Sequence, residues 1–104
     1  MPLIKVQTSA PLPPPEQIET LLKTLSNRLA KHLGKPEAYV MTVMEPATAM
    51  TFAGTTEPVC YVEIKSIGSM SAAQTEIMSQ DFCQQLEQGL GVSPQRIYIE
   101  FADA

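Results

Sequence analysis

Two stretches of this chain carry the same helical stripe and end it in the same way. Leu21, Leu25, Leu29, Leu33 and Gly34 lie over Met78, Phe82, Leu86, Leu90 and Gly91 when the two halves are superposed. Apolar residues three and four positions apart mark a helix with one face to bury. A glycine just past the stripe suits the left-handed turn that ends many helices. The first helix is expected over residues 15–33, with Ile18 and Leu22 widening its stripe. Pro14 and Pro15 suit its first turn, Glu16 and Glu19 complement the positive end of its dipole, and Gly34 followed by Pro36 stops it. The second is expected from about Ser71 to Leu90, through Ile77, Met78, Phe82, Leu86 and Leu90.

Strand-like runs flank each helix. Met1 to Gln7 contains Leu3, Ile4 and Val6 as strand formers, and Pro13-Pro14-Pro15 forbids regular pairing beyond it. Tyr39 to Met44 follows the first helix, Val59 to Lys65 precedes the second, and Arg96 to Phe101 alternates after it. The chain therefore reads as one domain made of a βαβ unit written twice, in halves of about 1–46 and 59–104. Each unit pairs its own strands in parallel through a right-handed crossover. The expected fold is α+β: a four-stranded mixed sheet with two helices on one face. Both faces of the run from Val40 to Met44 contain apolar residues, so the bare side of the sheet is expected to be apolar and to be covered by self-association.

Seven basic residues stand against eleven acidic ones, a net charge of −4, and the basic residues are scattered. Neither nucleic acid nor an anionic membrane is a natural partner for such a chain. Cys60 and Cys83 form no CxxC pair, His32 is the only histidine, and no phosphate-binding loop is present. No metal or other cofactor is expected. No apolar segment approaches a signal peptide or a membrane span, which points to a cytoplasmic protein.

Pro2 is the residue with distinctive chemistry. Removal of Met1, which a small second residue favours, would make it a free secondary amine. An α-amino group ordinarily titrates at about 7.7–8.0, and an apolar surrounding disfavours its charged form, so such an amine suits proton abstraction beside a carbonyl. The same proline is also an unremarkable first residue for a strand.

Met1-Pro2-Leu3-Ile4-Lys5-Val6, Gly34-Lys35-Pro36 leading into Tyr39-Val40, Phe52-Ala53-Gly54-Thr55-Thr56-Glu57-Pro58, Ser66-Ile67-Gly68 and Ser93-Pro94-Gln95-Arg96-Ile97-Tyr98-Ile99 together resemble the macrophage migration inhibitory factor family of the tautomerase superfamily. The resemblance covers nearly the whole chain. It implies a homotrimer and a cofactor-independent keto–enol tautomerase of small α-keto acids such as phenylpyruvate. Pro2 would be the general base. Lys35 would bind the substrate carboxylate or stabilise enolate charge, although a cation after a helix also offsets its dipole. Ile67 would offer its backbone N–H to a substrate oxygen. Tyr98 would reach a neighbouring subunit's site and Tyr39 would line the pocket; by residue type alone both are cross-strand packing residues.

The chain also departs from that family. Glu100 stands where the mammalian cytokine has an asparagine, Lys65 replaces a histidine before the Ser-Ile-Gly turn, and Phe101-Ala102 replaces two tyrosines. The chain stops at Ala104, short of the family's usual end, where the missing tail supplies subunit contacts and aromatic pocket walls. Val59-Cys60-Tyr61-Val62 lacks the CxxC, and Leu12 replaces an arginine associated with receptor recognition. The alternative is a noncatalytic trimeric binding or cytokine-like module on the same scaffold. Hydration or dehalogenation of unsaturated acids by an amino-terminal proline ranks lower, because Arg28 and Arg96 are the only arginines available to it.

Overall fold

A computed structural model describes residues 1–103. Strand β1 (Leu3–Thr8) leads to helix α1 (Pro15–Leu33), a 3₁₀ turn (Glu37–Tyr39) and β2 (Met41–Glu45). Strand β3 (Cys60–Ser66) leads to helix α2 (Ala72–Leu90), a second 3₁₀ turn (Pro94–Arg96) and β4 (Ile97–Asp103). The strands form one sheet in the order β2-β1-β3-β4. β1 is parallel to β2, β3 is parallel to β4, and β1 and β3 join the two units in antiparallel fashion.

The two stripes occupy equivalent places. Leu25, Leu29, Met78, Phe82 and Leu86 are fully buried, and Leu21 nearly so, against Ile4, Val6, Cys60, Val62 and Ile64. Gly34 and Gly91 both adopt the left-handed conformation at the helix ends, with φ of 64° and 70°. At the start of α2, Ser71 is the cap rather than a helical residue: its hydroxyl accepts from the Gln74 N–H while the Gln74 side chain accepts from the Ser71 N–H. That reciprocal pair fixes the first turn.

Three expectations are corrected. Tyr39 is not in the second strand, because Pro36 starts a 3₁₀ turn in which the Tyr39 N–H donates to the Pro36 carbonyl, and pairing resumes only when the Met41 N–H reaches the Pro2 carbonyl. Ile77 lies off the stripe and is 56% exposed, since Met78, Phe82 and Leu86 point at the sheet and leave their preceding neighbour turned away. The bare sheet face is mixed rather than apolar. Leu3, Met41 and Val43 share it with Lys5, Glu45, Glu63, Lys65 and Glu100, because charged residues alternate with the buried ones along β1, β3 and β4.

Those charges find partners both across strands and along β3. Lys5 pairs with Glu45 at 3.4 Å and Lys65 with Glu63 at 3.2 Å. The Tyr61 hydroxyl, with one hydrogen to give, lies 3.3 Å from a Glu63 carboxylate oxygen and 3.2 Å from one of Glu100, and the Tyr61 ring lies 6.0 Å from that of Tyr98. Desolvation of the Tyr61 phenol, followed by the negative charges of Glu100 and Glu63, pushes it up to about 12.

The far part of the connection between the units is gathered by Arg96. Arg96 donates to the carbonyls of Pro58 (2.9 Å), Phe52 (3.2 Å) and Glu57 (2.8 Å), and its guanidinium lies 5.4 Å from the centre of the Phe52 ring. The planar fork suits three converging carbonyls where an ammonium would not. Between Phe52 and Thr55 the chain turns tightly through Ala53 and Gly54, both with positive φ.

Candidate active site

Pro2 is buried at the start of β1, while Met1 before it is 71% exposed. The Pro2 carbonyl accepts from the Met41 N–H at 3.0 Å, which ties this end of β1 to β2. On its other side Leu3 pairs with Lys65, so one step further along the antiparallel ladder Pro2 comes opposite Ser66. Strand alternation puts Pro2 and Ser66 on the helix-facing side with Ile4 and Ile64.

Lys35 arrives from the end of α1. The Lys35 N–H donates to the Ala30 carbonyl at 3.0 Å and the Gly34 N–H to the Lys31 carbonyl at 3.3 Å. This pair of bonds closes the helix and requires Gly34 to be left-handed. The chain thereby leaves the helix axis, and the Lys35 ammonium donates to the Ser66 hydroxyl and to the Ile67 carbonyl, both at 2.7 Å. Its bonds go to the end of β3, not to the last carbonyls of α1. Among the described residues, no carboxylate lies within ion-pairing distance of Lys35. Two of its three donors are used on neutral acceptors, and its charge is left uncompensated.

Gly68 has φ of 97°, which a residue with a side chain rarely adopts, and its N–H donates to the Asp103 carboxylate at 3.0 Å. Asp103 is the register partner of Ser66. The Ser66-Ile67-Gly68 turn is therefore gripped on one side by Lys35 and on the other by β4.

Pro2, Lys35 and Ile67 thus gather at one end of the sheet, and Tyr39 stands two residues before Met41, whose N–H bonds the Pro2 carbonyl. Tyr39 and Tyr98 are 58% and 59% exposed. Tyr98 is not part of this cluster within one chain. It pairs with Tyr61, which pairs with Gln7, so it lies at the opposite end of the ladder from Leu3 and Lys65, more than about 13 Å along the strands at ~3.3 Å per residue. Lys65 and Glu100 are turned to the open face.

Ser66 and Asp103 were not among the residues singled out from the sequence. Ser66 could have been noticed: it continues the alternation of Cys60, Val62 and Ile64, and so is a polar side chain at a buried position. Asp103 carried no comparable signal, because its role depends on the long-range register of β3 with β4. Concavities lie elsewhere on the chain, one along α1 lined by Leu12, Pro13, Ile18 and Leu22, one between the helices lined by Thr20, Leu21, Gln85 and Gly89, and one beside Ser9, Thr48 and Met50. Among the described residues there is no cluster of three side chains able to hold a metal ion. Among the same residues, no helix is long and apolar enough to cross a membrane.

Several known proteins are similar over almost the full length. The chain is 36% identical over 103 residues to the macrophage migration inhibitory factor of Meriones unguiculatus, covering 99% of this chain and 88% of that protein. Its structure superposes on that of a macrophage migration inhibitory factor homologue from Prochlorococcus marinus with a TM-score of 0.90 and 47% identity, covering 98% of this chain and 88% of the other. The corresponding values for a Leishmania major homologue are 0.91 and 26%, with 100% and 89% covered. The family model for macrophage migration inhibitory factor matches residues 1–104, and with the duplicated fold and these full-length relatives it establishes that the chain belongs to that family.

Proposed function

We propose that this protein is a cofactor-independent keto–enol tautomerase of small α-keto acids such as phenylpyruvate, with Pro2 as its base once Met1 is removed. Membership of the family supports an isomerase of this general kind. The observation that carries the finer reading is the Lys35 ammonium, fixed by two uncharged acceptors and unpaired with any carboxylate of the described residues, at the same end of the sheet as Pro2. A site of that kind attracts an anion without having been neutralised by the protein.

In the ketone-to-enol direction the substrate carboxylate takes the free N–H of Lys35. The Pro2 nitrogen removes a proton from the carbon beside the carbonyl; that C–H bond breaks, an N–H bond forms, and the electron pair moves onto the carbonyl oxygen. The Ile67 N–H stabilises the developing enolate, and the protonated Pro2 nitrogen gives that proton to the enolate oxygen, so that the N–H bond breaks, an O–H bond forms and the base is restored. The reverse sequence ketonises the enol. Charge stabilisation is strongest where donors are already aimed and water is excluded. Tyr39 supplies an aromatic wall beside Pro2, and Tyr98 reaches the site of a neighbouring subunit in a homotrimer, which also closes a pocket that one chain leaves open.

The test is ultraviolet-monitored tautomerisation of phenylpyruvate by mass-verified protein lacking Met1, beside Pro2→Ala. Activity that disappears in the variant while assembly is unchanged supports the reading. No activity in the correctly processed protein overturns it.

A further inference from the structure

We propose that Ser66 is a positioning residue of this site, holding the Lys35 ammonium so that its remaining N–H is offered to the carboxylate of the α-keto acid; the inference rests on the tautomerase reading above. Ser66 is the last residue of β3 and is 1% exposed, yet its hydroxyl is spent on a side chain that starts 31 positions away, at 2.7 Å. A lysine ammonium on its four-carbon stem has many orientations, and one acceptor leaves most of them open. The Ile67 carbonyl, one residue further along, provides the second tether. Two acceptors from adjacent residues fix both the place of the nitrogen and the direction of its third donor.

The chemistry of the tether matters as much as its geometry. A carboxylate at position 66 would hold the ammonium more strongly, but it would cancel the charge that attracts the substrate. An alanine would leave the charge intact and unaimed. A hydroxyl aims it without neutralising it. The strand is itself anchored at this point, because Asp103, the register partner of Ser66, holds the Gly68 N–H and so keeps the Ile67 carbonyl in place as the second tether.

A substitution that acts only through Lys35 has no effect once Lys35 is gone, and this separates positioning from a general structural role. The experiment uses the processed protein and phenylpyruvate, with Ser66→Ala, Lys35→Met and the double variant. Loss of one bond to a charged donor is expected to raise KM about tenfold in Ser66→Ala, with kcat changed much less. In the Lys35→Met background the same substitution is expected to change KM less than about twofold, a coupling that additive sites do not show. Ser66→Thr, which keeps the hydroxyl, is expected to restore KM. Should Ser66→Ala fold poorly, Ser66→Cys, close in size with a weak acceptor, carries the same comparison. Losses that add in the double variant, or an unchanged KM in an active Ser66→Ala protein, overturn the role of Ser66 and leave the tautomerase reading standing. A processed wild-type protein that neither binds nor converts phenylpyruvate overturns both.

Discussion

Removing the Asp81 carboxylate should loosen the packing of the two helices in a way that depends on pH. Asp81 on α2 accepts from Arg28 at 2.8 Å and from His32 Nε2 at 2.6 Å, both on α1, and its side chain is only 13% exposed. With a carboxylate as partner, Nε2 must carry the hydrogen, so the bond forms whether or not the ring is charged. A bond to a charged group contributes about 1.5–3 kcal/mol when shielded. The Arg28 side chain is 44% exposed, so its share is discounted to about 0.5 kcal/mol or less. Asp81→Ala also gains about 0.6 kcal/mol of helix propensity. The net cost is therefore about 2 kcal/mol, which in a domain of this size lowers Tm by roughly 10 °C at fixed protein concentration. Partial burial raises the Asp81 pKa, but the hydrogen bonds from His32 and Arg28 outweigh it and hold the carboxyl below its ordinary value. A depressed carboxyl contributes stability that is complete above its unfolded value of about 3.9 and lost as pH falls through the lower folded value. Thermal melts of both proteins should thus differ most at neutral pH and converge in acid below that range. Equal melting at pH 7, or a gap that widens with acidification, would refute the reasoning.

Two further substitutions address local devices. Gly34→Ala places a side chain at φ 64° with nothing to clash against, so its cost is the backbone preference alone, about 1 kcal/mol, read as a Tm lowered by several degrees. Arg96→Lys keeps the charge but loses the planar fork that gathers the Phe52, Glu57 and Pro58 carbonyls, and limited proteolysis should then cut between residues 52 and 58 faster than in the parent; an unchanged rate would mean that the loop is held by something else.

Much of the fold was legible because both helices write their buried face as a repeated period and punctuate its end with glycine. Strand boundaries were less so. A residue such as Tyr39, the last of a proline-led turn, looks like a strand residue until the backbone bonds to Pro36 and Glu37 are seen. Ile77 was misread because an apolar residue beside a stripe extends it on paper, while three dimensions admit only one line of contact. The polar character of the open face was present as alternation in Lys5, Glu63, Lys65 and Glu100, yet which charges meet depends on the antiparallel join of β1 to β3, a contact between distant segments. The same distinction governs the proposed site. Pro2, Lys35 and Ile67 were put forward from short motifs and order, whereas the places of Ser66 and Asp103 depend on register, which no local pattern records.

The central claim is that the Pro2 nitrogen must be free. Met1 is exposed, so a short extension ahead of Pro2 can be carried without disturbing the fold, and it keeps that nitrogen as an amide with no basicity. The decisive measurement is the rate of phenylpyruvate tautomerisation by the processed protein beside the same chain bearing such an extension, with Tm and oligomeric state matched. A rate at least about 100-fold lower in the extended protein is predicted, the ordinary contribution of a positioned base. Equal rates in the two would contradict the assignment of Pro2 as that base.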